Sequence, residues 1–203
     1  MLLHHMFVQI AKKYESKLAF VDKTTGGSMT YGKALIATLI LSEKMKKYEE
    51  GLLGIMVPTS IGCSLAILGS LMSGRVPVML NYSTGAAQNA EYAQKKCGFK
   101  TIVTSKALLE KINCPRVPGM VFLEDILESV GFFDKIKAAI WSKLPMERLM
   151  KRIPNGQEDD NIVILFTSGS EKDPKAVQLT HRNISANLEG ISKAFDLSSE
   201  DIF

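Results

Sequence analysis

The run from Gly51 to Gly74 contains no charged residue, and it limits the possible folds more than any other stretch of the chain. By length alone such a run raises a transmembrane helix. Pro58-Thr59-Ser60 interrupts it, however, and Gly51, Gly54, Gly62, Gly69 and Gly74 punctuate it. The spacing therefore predicts a strand over 52–57, a turn, a helix over 61–73 and a second strand over 76–80. This is one βαβ unit. Ala66, Gly69 and Ser70 make its helix small enough to lie close to a sheet, and two bare apolar strands imply a parallel sheet covered on both faces.

The same alternation continues on either side. Thr30 is placed to cap a helix over 31–47, where Tyr31, Ala34, Leu35, Thr38, Leu39, Ser42 and Met45 recur at helical spacing. Lys44, Lys46 and Lys47 suit its C-terminal dipole. Downstream the pattern predicts a helix over 86–96, a strand over 101–104, a short segment over 107–112 and a strand over 120–123. The fold class is α/β, a layered fold with a mainly parallel sheet flanked by helices.

Composition narrows the function classes. With 46% hydrophobic and 23% charged residues in a chain of 203, the sequence suits a cytoplasmic globule able to bury a core without disulfides or metal. Cys63, Cys97 and Cys114 are odd in number and widely spaced, so reduced thiols that ligate nothing are expected. No secretory signal is evident at Met1-Leu2-Leu3-His4-His5. His4 and His5 are expected near a frayed terminus with no third ligand close by. Basic residues are not interleaved with aromatics over most of the chain, which disfavours nucleic acid as a partner.

Residues 131–153 depart from the alternation. Phe132, Phe133, Ile136, Ile140, Trp141, Leu144, Leu149 and Met150 are set among six cations and two carboxylates, so the segment carries the chain's whole net charge of +4. Two readings follow. One is a basic amphipathic helix meeting an anionic membrane or an acidic carrier protein, and the other is a surface helix packing its apolar stripe inward.

Residues 161–167 form another bare apolar, β-branched run, after which the chain enters Ser168-Gly169-Ser170-Glu171-Lys172-Asp173-Pro174-Lys175. Hydroxyls and unhindered amides beside a lysine suit phosphate oxygens. The spacing from Gly169 to Lys175 is that of a phosphate-binding P-loop, yet Pro174 and Ala176 replace that loop's second glycine and its magnesium-holding hydroxyl. Residues 176–180 alternate like a strand, so this is a connection between two strands. A plain hairpin turn at Asp173-Pro174 is the alternative. Asp159 and Asp160 read as a solvated turn, and His181 as the start of the next helix, with a general-base role a minor option.

Thr167, Ser168, Gly169, Ser170, Pro174 and Lys175 match the T-S-G-[ST]-T-G-x-P-K-G loop, and the segment resembles the ATP-phosphate loop of the adenylate-forming superfamily. Leu179-Thr180-His181-Arg182-Asn183 is similar to the L-T-H-x-N that commonly follows. Ser170-Glu171 and Met79-Leu80-Asn81-Tyr82-Ser83 resemble the bacterial acyl-[acyl-carrier-protein] synthetases related to 2-acylglycerophosphoethanolamine acyltransferase. Lys172 and Ala176 depart from the pattern, each replacing a loop glycine.

The resemblance implies a two-step ligase in which a fatty acid attacks the α-phosphate of ATP and the acyl group then passes to a thiol. That thiol belongs to acyl carrier protein or, alternatively, to coenzyme A. Thr167, Ser168, Gly169, Ser170, Glu171, Lys172 and Lys175 would hold ATP, and Mg2+ would accompany it. It also implies that 1–203 is the N-terminal portion of an adenylation domain: a βαβ-rich lobe over 1–130, the basic segment over 131–153 and the phosphate-loop strand pair with its helix over 154–203. The adenine-binding aromatic motif, the ribose-binding aspartate and the C-terminal lid domain with its catalytic lysine have no counterpart, so the 203 residues alone are expected neither to adenylate nor to transfer. A non-catalytic nucleotide-binding module stays open, as does contact with the inner face of the membrane.

Overall fold

The computed structural model describes residues 1–23, 26–167 and 173–195. Its central sheet has the order β6-β5-β3-β4-β7-β8, formed by Met120–Phe122 (β6), Ile102–Thr104 (β5), Gly51–Met56 (β3), Arg75–Met79 (β4), Asn161–Phe166 (β7) and Ala176–Thr180 (β8). All neighbours run parallel except β7 and β8, which pair antiparallel. A short ribbon of Leu18–Asp22 (β1) and Gly27–Thr30 (β2) stands apart from it.

The uncharged run folds as β3 and then the helix Ile61–Met72 (α3), within a residue or so of expectation. Ser60 starts that helix by accepting the Cys63 N–H at 3.1 Å, which satisfies one otherwise orphaned amide. Among the described residues no helix is long and apolar enough to cross a membrane. Pro77 is accommodated in β4 because β7 pairs with that strand only at Val78 and Met79.

Both faces of the sheet are covered over β3–β6, while Leu165 of β7 and Val177 of β8 stay exposed. Met56, Val78, Ile102 and Met120 pack with the helices Ala86–Cys97 (α4) and Lys106–Lys111 (α5). Leu53, Ile55 and Val103 face Tyr31–Met45 (α2), α3 and Leu123–Glu128 (α6). Each such fully buried aliphatic contributes about 1.5–3 kcal/mol by leaving water. The strand expected over 120–123 therefore stops short, since Leu123 already opens α6.

Ser70 of α3 does meet the sheet as expected, its hydroxyl donating to the Arg75 carbonyl of β4 at 3.1 Å, and Ala66 packs with Leu53 and Ile55, but Gly69 serves a different neighbour. A Cβ at Gly69 would lie 2.9 Å from Leu41 Cβ, so the glycine permits close approach to α2 rather than to the sheet. Thr30 caps α2 as predicted, accepting the Lys33 N–H at 3.4 Å.

A third layer lies outside α2. Val8 and Ala11 of Leu3–Lys13 (α1), Leu35 and Leu39 of α2, Ala138 of Phe132–Lys143 (α7) and Leu149 of Met146–Met150 (α8) form its core. The basic segment is thus two helices and not one. Leu144 is extended, with ψ 149°, as a residue before proline prefers, and Pro145 precedes the first turn of α8. The N-terminus is likewise helical rather than frayed. His4 is buried, and Nε2 of both His4 and His5 donates to the Pro154 carbonyl, at 3.0 and 2.8 Å.

Candidate active site

The connection between β7 and β8 leaves the carboxyl end of β7, the end at which parallel sheets place ligands. Thr167 and Lys175 close its neck. The Thr167 N–H donates to the Lys175 carbonyl at 3.0 Å, and the Lys175 N–H donates to Thr167 Oγ1 at 3.1 Å. Both side chains are exposed, and a threonine hydroxyl that accepts here keeps its own proton to donate. Ser168, Gly169, Ser170, Glu171 and Lys172 lie outside the described residues, so of the predicted phosphate ligands only the two at the neck are located.

Beside that neck is a cleft of about 180 Å³ lined by Leu80, Asn81, Thr84, Asn89, Tyr92, Phe166, Thr167 and Pro174. Its walls come from three places: the end of β4 with the loop after it, α4, and both limbs of the β7–β8 connection. Leu80 and Phe166 make an apolar floor. The rim is polar and held in place, because Asn89 Nδ2 donates to the carbonyls of Asn81 and Thr84 at 3.1 and 2.7 Å. Ser83 in turn donates its N–H and hydroxyl to Asn81 Oδ1, at 2.9 and 2.7 Å.

Tyr92 links α4 to the loop. Its hydroxyl donates to the Pro174 carbonyl at 3.1 Å, and its ring meets Phe166 edge-on, with centroids 6.1 Å apart. Neither Tyr92 nor Asn89 was singled out by sequence. The one signal available was their position in the first helix after Met79-Leu80-Asn81-Tyr82-Ser83, since a helix that packs beside β7 must present residues to its loop.

The second matching motif has a structural reason. Thr180 precedes the helix His181–Phe195 (α9) and accepts the Asn183 N–H through Oγ1 at 3.2 Å, while Asn183 Oδ1 accepts the Thr180 N–H at 2.9 Å. This reciprocal pair is a capping box with asparagine in the place of glutamate. His181 does begin α9, but at the end of β8 remote from the loop, and its Nδ1 accepts the Leu3 N–H at 3.1 Å. Its ring lies 5.4 Å from that of His4, so a third imidazole does stand near His4 and His5, contrary to expectation. The cluster joins α1 to α9 as a structural tie and offers no base to the cleft.

Asp159 and Asp160 do lie in a turn. Asp159 pairs with Arg182 at 2.8 Å, and Asp160 Oδ2 accepts the Gln157 N–H at 2.7 Å. Burial pushes the thiols of Cys63, Cys97 and Cys114 above their ordinary range, which keeps them protonated and unreactive.

A nucleotide's phosphates fit this setting in chemical kind, with one lysine, a threonine hydroxyl and a polar rim at a strand's carboxyl end. Among the described residues no group of three or more His, Cys, Asp or Glu side chains is arranged to hold a metal ion.

Known proteins bear the same architecture. The AMP-binding enzyme family matches residues 7–203. Syringomycin synthase SyrB1 of Pseudomonas syringae pv. syringae is 24% identical over 208 residues, covering 99% of this chain and 30% of its own. The 4-coumarate--CoA ligase-like 1 of Arabidopsis thaliana is 26% identical over 207 residues, covering 98% and 36%. This chain therefore spans about a third of the length of these two relatives. Among solved structures, the o-succinylbenzoate CoA synthetase MenE of Bacillus subtilis, in complex with the acyl-adenylate intermediate OSB-AMP, has a TM-score of 0.75 at 14% identity. That likeness covers 99% of this chain and 48% of that one, and it concerns the fold. With a family match over nearly its whole length and the corresponding α/β architecture, this chain belongs to the AMP-binding enzymes.

Proposed function

We propose that this chain is the phosphate-handling part of an ATP-dependent acid–thiol ligase that forms a fatty acyl-adenylate and passes the acyl group to acyl carrier protein. The observation that carries this reading is the cleft at the neck of the β7–β8 connection, where Thr167 and Lys175 bracket the segment matching the family's phosphate loop. Ser168, Gly169, Ser170, Glu171 and Lys172 would complete the cradle with backbone N–H groups and hydroxyls. The charge of Lys175 would offset that of departing pyrophosphate. ATP with its Mg2+ would supply the adenylyl group, pyrophosphate leaving as the carboxylate oxygen bonds to the α-phosphate, and this chain's residues would bind and orient the nucleotide.

The acyl-carrier branch is favoured by two local matches, Ser170-Glu171 and Met79-Leu80-Asn81-Tyr82-Ser83. The relatives are about three times as long as this chain, so the activity of a whole protein is part of this proposal. The test is ATP/pyrophosphate exchange by the full-length protein with a panel of fatty acids, followed by acyl transfer to holo acyl carrier protein or to coenzyme A. Exchange dependent on fatty acid together with preference for the carrier supports the proposal. Preference for coenzyme A makes it an acyl-CoA synthetase, and nucleotide binding without exchange makes it a binding module.

A further inference from the structure

The outward face of α7 is apolar where exposed helices are ordinarily polar. At about 100° per residue, Phe132, Ile136, Ile140 and Phe133 fall on one side of the helix, opposite Ala138, Trp141 and Ser142, which turn toward α2. Phe132 is 72% exposed, Phe133 82% and Ile140 59%. These side chains stand on a convex crest, not in a groove.

Cations border the crest. Lys135 and Lys137 flank it, Lys143 follows at its C-terminal end, and Arg148 and Lys151 continue the charge through α8, while Arg152 stacks on Trp141 on the side turned toward α2. Trp141 gathers two of them, with Lys137 Nζ 4.5 Å and the Arg152 guanidinium 4.6 Å from its ring centroid. Glu43 and Glu15 pair with Lys137 and Lys143, but the segment still holds six cations against two carboxylates of its own. The helix is fixed to the body through the ion pair of Asp134 with Lys44, at 2.7 Å.

We propose that the outer face of α7 docks this protein on an anionic lipid surface. Phe132, Phe133, Ile136 and Ile140 enter the boundary between headgroups and acyl chains, and the bordering lysines and arginines lie among the lipid phosphates. An apolar crest flanked by cations is the arrangement of a helix lying in the plane of a bilayer interface. A protein partner would have to supply a groove shaped to two adjacent phenylalanines, whereas a bilayer yields to them and carries the complementary charge. The inference is independent of the ligase assignment.

Flotation of the purified protein with vesicles of phosphatidylcholine alone, and of phosphatidylcholine mixed with phosphatidylglycerol, tests it. Binding is expected to the anionic vesicles only, and to weaken as salt rises. The triple variant Phe132→Ser, Phe133→Ser, Ile140→Ser should weaken vesicle binding by at least about tenfold. Its circular dichroism and the emission of the single tryptophan, Trp141, should stay unchanged, because those side chains support no core. Reversing Lys135, Arg148 and Lys151 to glutamate should abolish the preference for anionic lipid while leaving the crest in place. Absence of flotation overturns the proposal, as does binding that survives the triple serine variant. It is equally overturned if this face instead mediates self-association, or captures an acidic carrier protein without binding vesicles.

Discussion

Thr167 and Lys175 hold each other across the mouth of the β7–β8 connection, one through its N–H and hydroxyl oxygen, the other through its carbonyl and N–H. The backbone of Lys175 is therefore committed to the neck, and its side chain leaves from a fixed point. Lys175→Ala in the full-length protein should slow ATP/pyrophosphate exchange by about tenfold or more while shifting the unfolding midpoint little, because an exposed lysine adds little to a core. Thr167→Val should lower both, since it removes the acceptor for the Lys175 amide, at a cost of about 1 kcal/mol. Thr167→Ser should restore most of each. Equal exchange rates for wild type and Lys175→Ala would remove the lysine from the mechanism.

Tyr92 fixes the other limb of the loop through its hydroxyl. Tyr92→Phe keeps the ring against Phe166 and deletes only the hydrogen bond to the Pro174 carbonyl. Stability should fall by about 0.5–1.5 kcal/mol, the range of a single hydrogen bond. The apparent affinity for ATP, followed by exchange kinetics, should weaken several-fold as the loop loses its tether. A stability loss without any change in nucleotide affinity would limit Tyr92 to packing.

Arg75 is a stability determinant with no role at the cleft. Its buried guanidinium donates to the carbonyls of Tyr48 at 2.8 Å and of Lys46 and Glu49 at 3.2 Å each, as well as to Ser73, tying the end of α2 to the start of β4. Arg75→Ala leaves those carbonyls without their donors and should cost about 3 kcal/mol. Arg75→Lys should cost nearly as much, because an ammonium cannot span the same fan of acceptors. Urea titrations of both variants decide it: a midpoint shift in alanine alone would show that charge, and not the fork geometry, is what matters.

What the sequence disclosed tracks the range of the interactions involved. The βαβ unit was legible because Ser60, Pro58 and the glycines set its boundaries locally, and the phosphate-loop hairpin because a bare strand and an alternating strand flank it. The sheet order was not, since β4 meets β7 across more than eighty residues and no local pattern encodes that pairing. The same holds for Gly69, whose smallness is read in the sequence but whose partner, Leu41, is known only once α2 and α3 are packed. At the candidate site, Thr167 and Lys175 were proposed through a motif, whereas Tyr92 bonds a carbonyl 82 positions away and carries no motif of its own. His4 and His5 were misread as frayed because the groups that order them, Pro154 and His181, lie at least 149 positions downstream.

That histidine cluster makes the fold sensitive to acid. Burial is the main reason His4 is pushed down to about 4, and the neighbouring His5 and His181 add to it, against the opposing effect of its bond to Pro154. A histidine whose folded pKa lies below its unfolded value of 6.5 contributes stability that is complete above pH 6.5. The contribution is lost as pH falls from 6.5 toward 4, because only the unfolded chain takes up the proton in that window. The loss should approach about 3 kcal/mol at the lower end. His4→Gln keeps an N–H donor near Pro154 without a titrating group, so its stability should change less between pH 7 and about pH 4.5. Carboxylates that titrate lower down, such as Glu49 with its bonds from Lys100 and Thr101, are common to both proteins and cancel in the comparison. Chemical denaturation of the two proteins across that range gives the answer, and parallel pH profiles would mean that His4 is protonated in the folded state.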